Sequence, residues 1–390
     1  MKILVVSQHY YPENFRITDI CEELTKKGHQ VDVICGLPNY PEGIVPKEYK
    51  NKKKWEQKIN GVNIHRCHEI GRGNNKLKLF LNYYSVCLSM KRKAKKIKEK
   101  YDLVLINQLS PVMVSWAGIA YAKKHNVPCI MYCYDLWPDS LAAGGIGKNN
   151  IIFKYFYKVS NKCYKSVDKI LVTSKLFIDY FKNYHNISED KIKYLPQYCE
   201  DLFSKIESNE KKDDTINYVF AGNVGKMQSV ETIIEAAKLV ENTNIKIHIV
   251  GDGSNLEACK KIAENNKLNN VIFYGKRPLE DMPQFYSLAD AMIVTLSKND
   301  VISNTLPGKV QSYMCAGKPI IGCIDGEAQI IIKEANCGLC CEAENSEKLS
   351  EIFKEMINLD REQLGYNSKK YYEENFTEEL FFEKLIKELK

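Results

Sequence analysis

The chain has 390 residues, 44% apolar and 27% charged, with a formal net charge of +7 at pH 7. That length and apolar content lead us to expect a large buried core divided between two domains, and exclude a disordered or fibrous chain. No apolar run approaches the roughly 18 residues of a membrane span, and Lys2-Ile3-Leu4-Val5-Val6 opens a strand too short for a signal sequence, so a cytoplasmic protein is expected.

In chain order, apolar runs of strand length fall at Ile3–Val6, Val31–Cys35, Val62–Arg66, Leu103–Ile106, Cys129–Cys133 and Ile170–Thr173, separated by helix-length segments. This alternation predicts a parallel sheet with helices on both faces. Ligands of such sheets gather beyond the carboxyl ends of the strands, which makes the loops there the candidates. The first loop, Gln8–Arg16, is polar and aromatic. His9, Tyr11 and Arg16 are its candidate contacts, with packing among aromatics the plain alternative for His9. The stretch from Gly36 to Asn60 is long for a loop inside a compact domain, a length that points to function, and it carries Asn39 and Tyr40.

A helix is predicted over Lys76–Lys100, where apolar and aromatic residues from Leu77 to Met90 precede Lys91-Arg92-Lys93-Ala94-Lys95-Lys96. Nine basic residues stand there against one acid, Glu99. The combination describes a segment lying on an anionic membrane surface. A domain helix with a solvated basic end is the alternative; nucleic acid is disfavoured because no recognised binding fold accompanies the charge. Residues 1–200 as a whole hold 33 Lys+Arg against 18 Asp+Glu, whereas residues 201–390 hold 23 against 31, so the first half is the side for a large anionic partner.

After Cys133 comes Tyr134-Asp135-Leu136-Trp137-Pro138-Asp139-Ser140, then Gly144, Gly145 and Gly147. Trp137 reads as a ring to stack on sugar C–H faces, and Asp135 and Asp139 as acceptors for sugar hydroxyls. Asp135 is the candidate acid or base, a structural helix cap being its other reading. Pro196–Thr215, with Ser208 and Lys211-Lys212-Asp213-Asp214, has linker composition. The domains are therefore drawn at 1–198 and 199–376.

A second strand series follows at Ile216–Ala221, Ile245–Val250, Val271–Tyr274, Ala291–Leu296 and Pro319–Ile324. Ala221–Gln228 is a glycine loop containing Gly222, Asn223 and Lys226; Gly251-Asp252-Gly253 reads as a turn with a helix cap. Between the last two strands a short helix is predicted from about Pro307 to Ala316, capped by Thr305 and stopped by Gly317 and Pro319. Its first turn carries Gly308, which lets a ligand reach the backbone, and Lys309, a cation beside unpaired amides that favour an anion. A diphosphate suits that place; the bland reading is an ordinary strand–helix–strand with a solvated lysine. Lys318, at the helix's far end, is expected to be dispensable. The 14 cysteines are scattered through apolar runs, and Cys337, Cys340 and Cys341 lack a partner pair or histidine at zinc spacing, so neither disulfides nor a metal is expected.

The run Leu306-Pro307-Gly308-Lys309-Val310-Gln311-Ser312-Tyr313-Met314-Cys315-Ala316-Gly317-Lys318-Pro319-Ile320-Ile321, with Gly326-Glu327 after it, resembles the donor-binding segment of family 4 glycosyltransferases. More narrowly it is similar to the bacterial branch that builds surface polysaccharides, including transferases of colanic acid and of N-acetyl-fucosamine-containing O-antigens. The Asp-Leu-Trp-Pro-acid run and the Gly36–Gly43 segment agree, and the resemblance covers nearly the whole chain. It implies a GT-B fold, two Rossmann-like doubly wound parallel-sheet domains facing a central cleft, with a last helix, about 377–390, that packs back on the first domain.

The resemblance also implies a retaining transfer from a UDP-sugar, an N-acetylated amino sugar among the candidates, to a polyprenyl-diphosphate-linked saccharide. That places the work in capsule, O-antigen or exopolysaccharide synthesis at the inner face of the plasma membrane, without metal or other cofactor. The implied donor site comprises Gly222, Asn223, Lys226, Arg277, Leu306, Pro307, Gly308, Lys309, Gln311, Ser312 and Glu327, with Asp135, Lys309 and Glu327 nearest the chemistry. His9, Tyr11, Arg16, Asn39, Tyr40, Trp137 and Asp139 lie on the acceptor side. Departures are specific: relatives carry arginine at Asn223 and lysine near Gln228, their two glutamates fall at Asn304 and Ser312, and a histidine common before Asp135 is Tyr134. Two other readings therefore stand: a nucleotide-sugar 2-epimerase of the same fold, and a non-catalytic sugar-nucleotide-binding partner.

Overall fold

The computed structural model describes residues 1–73, 75–143, 145–206 and 214–390. Gly144 and the linker residues Ser208, Lys211, Lys212 and Asp213 lie outside the described residues. The chain divides into two compact units, Met1–Tyr194 with Leu389 and Leu195–Glu388 with Lys390.

In the first unit the described residues form one eight-stranded sheet: β1 (Lys2–Ser7), β2 (Gln30–Cys35), β3 (Glu56–Ile59), β4 (Val62–Arg66), β5 (Leu103–Gln108), β6 (Cys129–Cys133), β7 (Lys169–Val172) and β8 (Ile192–Tyr194). Their order is β3-β4-β2-β1-β5-β6-β7-β8, parallel throughout except for β3 on β4. Ile3–Val6 at the centre is fully buried, as expected of a strand covered on both faces. The predicted long loop is partly structured. It contains the short helix Lys47–Lys50 and β3, which turns into β4 through Asn60-Gly61, both at positive φ (+49° and +85°), the geometry of a two-residue hairpin.

The second unit's described residues form a six-stranded parallel sheet: β9 (Ile216–Ala221), β10 (Ile245–Val250), β11 (Val271–Gly275), β12 (Ala291–Thr295), β13 (Ile320–Cys323) and β14 (Gly338–Cys341), in the order β11-β10-β9-β12-β13-β14. Alternation along β9 sends Tyr218 and Phe220 into the core on one face and Val219 and Ala221 into that on the other. The last helix, Glu378–Leu389, is capped by Thr377, whose Oγ1 accepts from the Leu380 amide at 3.3 Å. Through Glu388 it groups with the second unit, where Phe381 and Phe382 pack on Tyr198.

The helix predicted over Pro307–Ala316 runs from Gly308 to Cys315. Thr305 does not cap it. Its hydroxyl bonds the Ile302 carbonyl at 2.7 Å, closing the short helix Asp300–Ser303, and Pro307 takes the cap position.

Candidate functional site

β9 ends at Ala221, and one side chain fixes the Gly308–Cys315 helix to that end. Tyr313 Oη donates to the Ala221 carbonyl at 3.1 Å and accepts from its amide at 3.2 Å. One turn earlier on the same face stands Lys309. Its ammonium lies against Gly222, where φ is +142° and an added Cβ would sit 3.0 Å from Nζ, and 3.8 Å from the centre of the Phe220 ring. Nζ is buried and has no hydrogen-bond partner. Burial alone pulls its pKa down to about 7.

The loop above Lys309 is supported from below. Gly222 N–H donates to Val250 O and Val224 N–H to Asp252 O, both at 2.9 Å. A Cβ on Gly251 would lie 1.8 Å from Gly222 O, so the Gly251–Gly253 turn is a close-packed buttress. Asn223 Nδ2 donates to Gln228 Oε1 at 3.0 Å, and the two positions where relatives carry cations thus hold a neutral amide pair. Lys226 and Arg277 are exposed. At the helix start no side chain bonds the first amides, and Gly308 is open, with nothing within 4 Å of an added Cβ. Buried cation, glycine loop and free helix amides therefore meet at one strand end, an arrangement suited to a diphosphate.

Other predicted donor residues are placed differently. Gln311 is buried and its Nε2 donates to Gln197 O at 3.0 Å, because a 200° rotation from Lys309 puts it on the helix's inward face. Ser312 is also buried, its hydroxyl bonding the Gly308 carbonyl at 3.2 Å, so both side chains are turned away from the surface a ribose would approach. Leu306 belongs to the core, leaving its backbone as its contribution. Glu327 is buried at the first position of the helix Glu327–Glu334. Gly326 before it has φ +72° and approaches Ser303 O so closely that a Cβ would lie 2.0 Å away.

In the first unit the loop after β1 gathers several predicted residues around one that was not foreseen, Glu13. Its carboxylate pairs with His9 Nδ1 at 2.8 Å and accepts the amides of Asn39 and Tyr40 at 2.7 and 2.6 Å. His9 stacks on Phe15 with centroids 4.7 Å apart, and Tyr40 meets it edge-on. Tyr11 and Tyr40 are exposed; Asn39 is buried, its side-chain Nδ2 donating to Leu37 O and its Oδ1 accepting the backbone amide of Arg72. Arg16 bonds Asp19 on its own helix at 3.1 Å. Glu69, also unforeseen, is buried in the loop that follows β4. Its Oε1 accepts from Gln8 and Asn82 at 2.8 and 2.7 Å, its Oε2 has no partner, and burial pushes its pKa up to about 7.

The Asp135–Asp139 segment corrects the expected sugar wall. Trp137 is 1% exposed, its ring packed by Phe156 at 4.9 Å and its Nε1 donating to Ser110 Oγ at 2.7 Å, so its faces are closed to a sugar. Asp139 is equally buried, held by Tyr180 and by Lys148 at 3.2 Å. Asp135 accepts from Ser110, and burial raises its pKa.

Among the described residues no group of three or more His, Cys, Asp or Glu side chains converges as a metal site, and no helix is long and apolar enough to cross a membrane. Residues 15–197 match the family described as Glycosyltransferase Family 4, and residues 203–371 match Glycosyl transferases group 1. The chain is similar to WbjE of Pseudomonas aeruginosa, a glycosyltransferase by assignment, with 26% identity over 65% of this chain and 66% of that protein, just under two thirds of its length. It is also similar to WcaI of Escherichia coli (strain K12), assigned as a colanic acid biosynthesis glycosyl transferase, with 22% identity over 81% of this chain and 82% of that one. The structure of Alr3699/HepE from Anabaena in complex with UDP superposes with a TM-score of 0.74 and 13% identity, covering 100% of this chain and 99% of that chain.

Proposed function

The chain belongs to the family 4 glycosyltransferases of GT-B fold, and we propose that it transfers a sugar from UDP to a polyprenyl-diphosphate-linked saccharide in surface-polysaccharide synthesis. The observation that carries the donor half of this reading is Lys309: a buried ammonium with no hydrogen-bond partner, resting on the Phe220 ring beneath a glycine loop and beside unpaired helix amides. Leaving such a cation unpaired is costly, and a diphosphate removes the cost. In the transfer, the bond between sugar C1 and the diphosphate oxygen breaks, its electron pair leaving with the diphosphate, as the acceptor hydroxyl oxygen bonds C1 and its proton passes to the departing diphosphate. Charge then accumulates on the departing diphosphate, where Lys309 and the amides of Gly308 and Lys309 act. Glu327 serves the donor sugar. Retention, an N-acetylated amino sugar and a destination in capsule, O-antigen or exopolysaccharide are the finer expectations, supported by the family resemblance. UDP is supported by HepE and the polysaccharide by WcaI.

The acceptor half rests on the helix Lys76–Lys96. Its solvent face presents Leu77, Phe80, Leu81 and Leu88, then Arg92 and Lys95, while Val86, Met90 and Ala94 face the core. That sequence of apolar and cationic groups suits a peripheral position on an anionic bilayer. The test is incubation with a panel of nucleotide sugars, with and without a polyprenyl-diphosphate-linked saccharide, and mass analysis of the products. A lipid-linked saccharide one sugar longer supports the proposal. An epimerised nucleotide sugar formed without acceptor, or binding with no product, would replace it with the epimerase or the binding partner. EDTA should leave the activity unchanged, since Lys309 supplies the charge a cation would otherwise provide.

A further inference from the structure

We propose that the helix Ile151–Lys165 forms a second half of the membrane-docking surface, and that the bilayer meets the first unit at the carboxyl edge of its sheet. The proposal rests on the membrane reading of the helix Lys76–Lys96 and extends it to a segment that reading did not include. Ile151 is 81% exposed, and Ile152 and Tyr155 are exposed with it, an unusual way to begin a helix whose other face buries Phe153 and Phe156. The two helices touch: Tyr84 and Tyr155 bring their hydroxyls to 3.4 Å, and Phe80 packs on Tyr84 at 4.6 Å. Leu77, Phe80 and Leu81 therefore share one neighbourhood with Ile151, Ile152 and Tyr155.

Charge identifies the occupant. Lys154, Lys158, Lys162 and Lys165 are all exposed, and no acid occurs between Lys148 and Asp168. Each helix thus has an apolar exposed start followed by exposed cations, the pattern of an interfacial helix on anionic lipid. A protein partner would not require two cationic rows without an acid. Topology adds the orientation. One helix connects β4 to β5, and the other, after the short helix Asp139–Ala143, completes the connection from β6 to β7, so both begin toward the carboxyl edge of the parallel sheet, where doubly wound sheets receive ligands. A bilayer there holds a lipid-linked acceptor with its saccharide at the ligand edge.

The test is cosedimentation with vesicles of phosphatidylcholine alone and of phosphatidylcholine with phosphatidylglycerol, at low salt. We expect Ile151→Ser/Ile152→Ser/Tyr155→Ser to weaken binding to the anionic vesicles by about tenfold or more, with an unchanged circular dichroism spectrum because the three side chains are exposed and the helix's core face, Phe153 and Phe156, is kept. In parallel, the single variant Tyr155→Trp should gain a fluorescence signal that brominated acyl chains quench. Undiminished binding by the triple variant, with Tyr155→Trp unquenched, overturns the proposal and leaves the Lys76–Lys96 reading standing. Absence of wild-type binding to any vesicle removes both. A dimer without vesicles that the triple variant dissociates assigns the patch to self-association instead and also overturns the proposal.

Discussion

At the scale of single residues, two lysines of one segment have opposite roles. The Lys309 ammonium is buried with no hydrogen-bond partner, whereas Lys318 donates to the carbonyls of Ala289 at 3.0 Å and Ser287 at 3.4 Å, which makes it structural and not the dispensable residue expected from sequence. We expect Lys318→Ala to cost about 1–3 kcal/mol of stability with UDP affinity intact. Lys309→Met should do the reverse. Between pH 7 and the ordinary lysine range the unfolded chain holds a proton on Lys309 that the folded chain lacks, so wild-type stability climbs with pH across that window and is reduced below it. Removing the amine therefore raises the melting temperature near pH 7; a large fall would show that Lys309 is part of the packing alone. Glu69 has the other sign. Its pKa is pushed up to about 7, so from the ordinary carboxylate range to pH 7 the folded state retains a proton the unfolded state has lost, and stability falls as pH rises. Glu69→Gln should flatten that decline in melts between pH 4.5 and 8, and an unchanged slope would count against it.

At the scale of elements, the strands that were legible in the sequence are mostly interior ones, whose apolar runs are buried on both faces; β11 is the exception, a half-buried edge strand whose Val-Ile-Phe-Tyr run still stands out. Those missed, β3, β8 and β14, are all edge strands of three or four residues, too short and too little buried to stand out. The Gly308–Cys315 helix was legible from its proline, glycines and lysine, but its anchor was not, because Tyr313 in an apolar stretch reads as any core aromatic. Trp137 and Asp139 misled for a related reason: a strand end marks where ligands bind, but not which side chains turn inward. The anchor has a measurable consequence. Tyr313→Phe leaves the buried amide and carbonyl of Ala221 without their partner, and we expect a loss of about 1–3 kcal/mol together with weaker UDP binding as Lys309 loses its register under Gly222. Unchanged affinity in a destabilised variant would separate the anchor from the site.

At the scale of the whole molecule, the division of charge between a basic first half and an acidic second half parallels the division of labour we propose, the first toward an anionic surface and the second toward a nucleotide. Among the cations of the Lys76–Lys96 helix, Lys93 pairs with Glu56 at 2.5 Å and Lys91 lies over Trp116, leaving Arg92, Lys95 and Lys96 the more available. Changing Lys91, Arg92, Lys93, Lys95 and Lys96 to glutamine should release the protein from anionic vesicles, each charge being worth about 1 kcal/mol there, and salt should do the same to the wild type. Equal retention of both proteins would sink this assignment. The central claim, that Lys309 receives the donor diphosphate, is tested most directly by calorimetric titration of UDP into wild type and Lys309→Met between pH 7 and 9. The account predicts that wild-type affinity falls by up to about tenfold for each unit above pH 7, as the amine must take up a proton to bind, and that the variant binds about ten to a hundred times more weakly at pH 7 with no such slope. Equal affinities and equal slopes for the two proteins would contradict it.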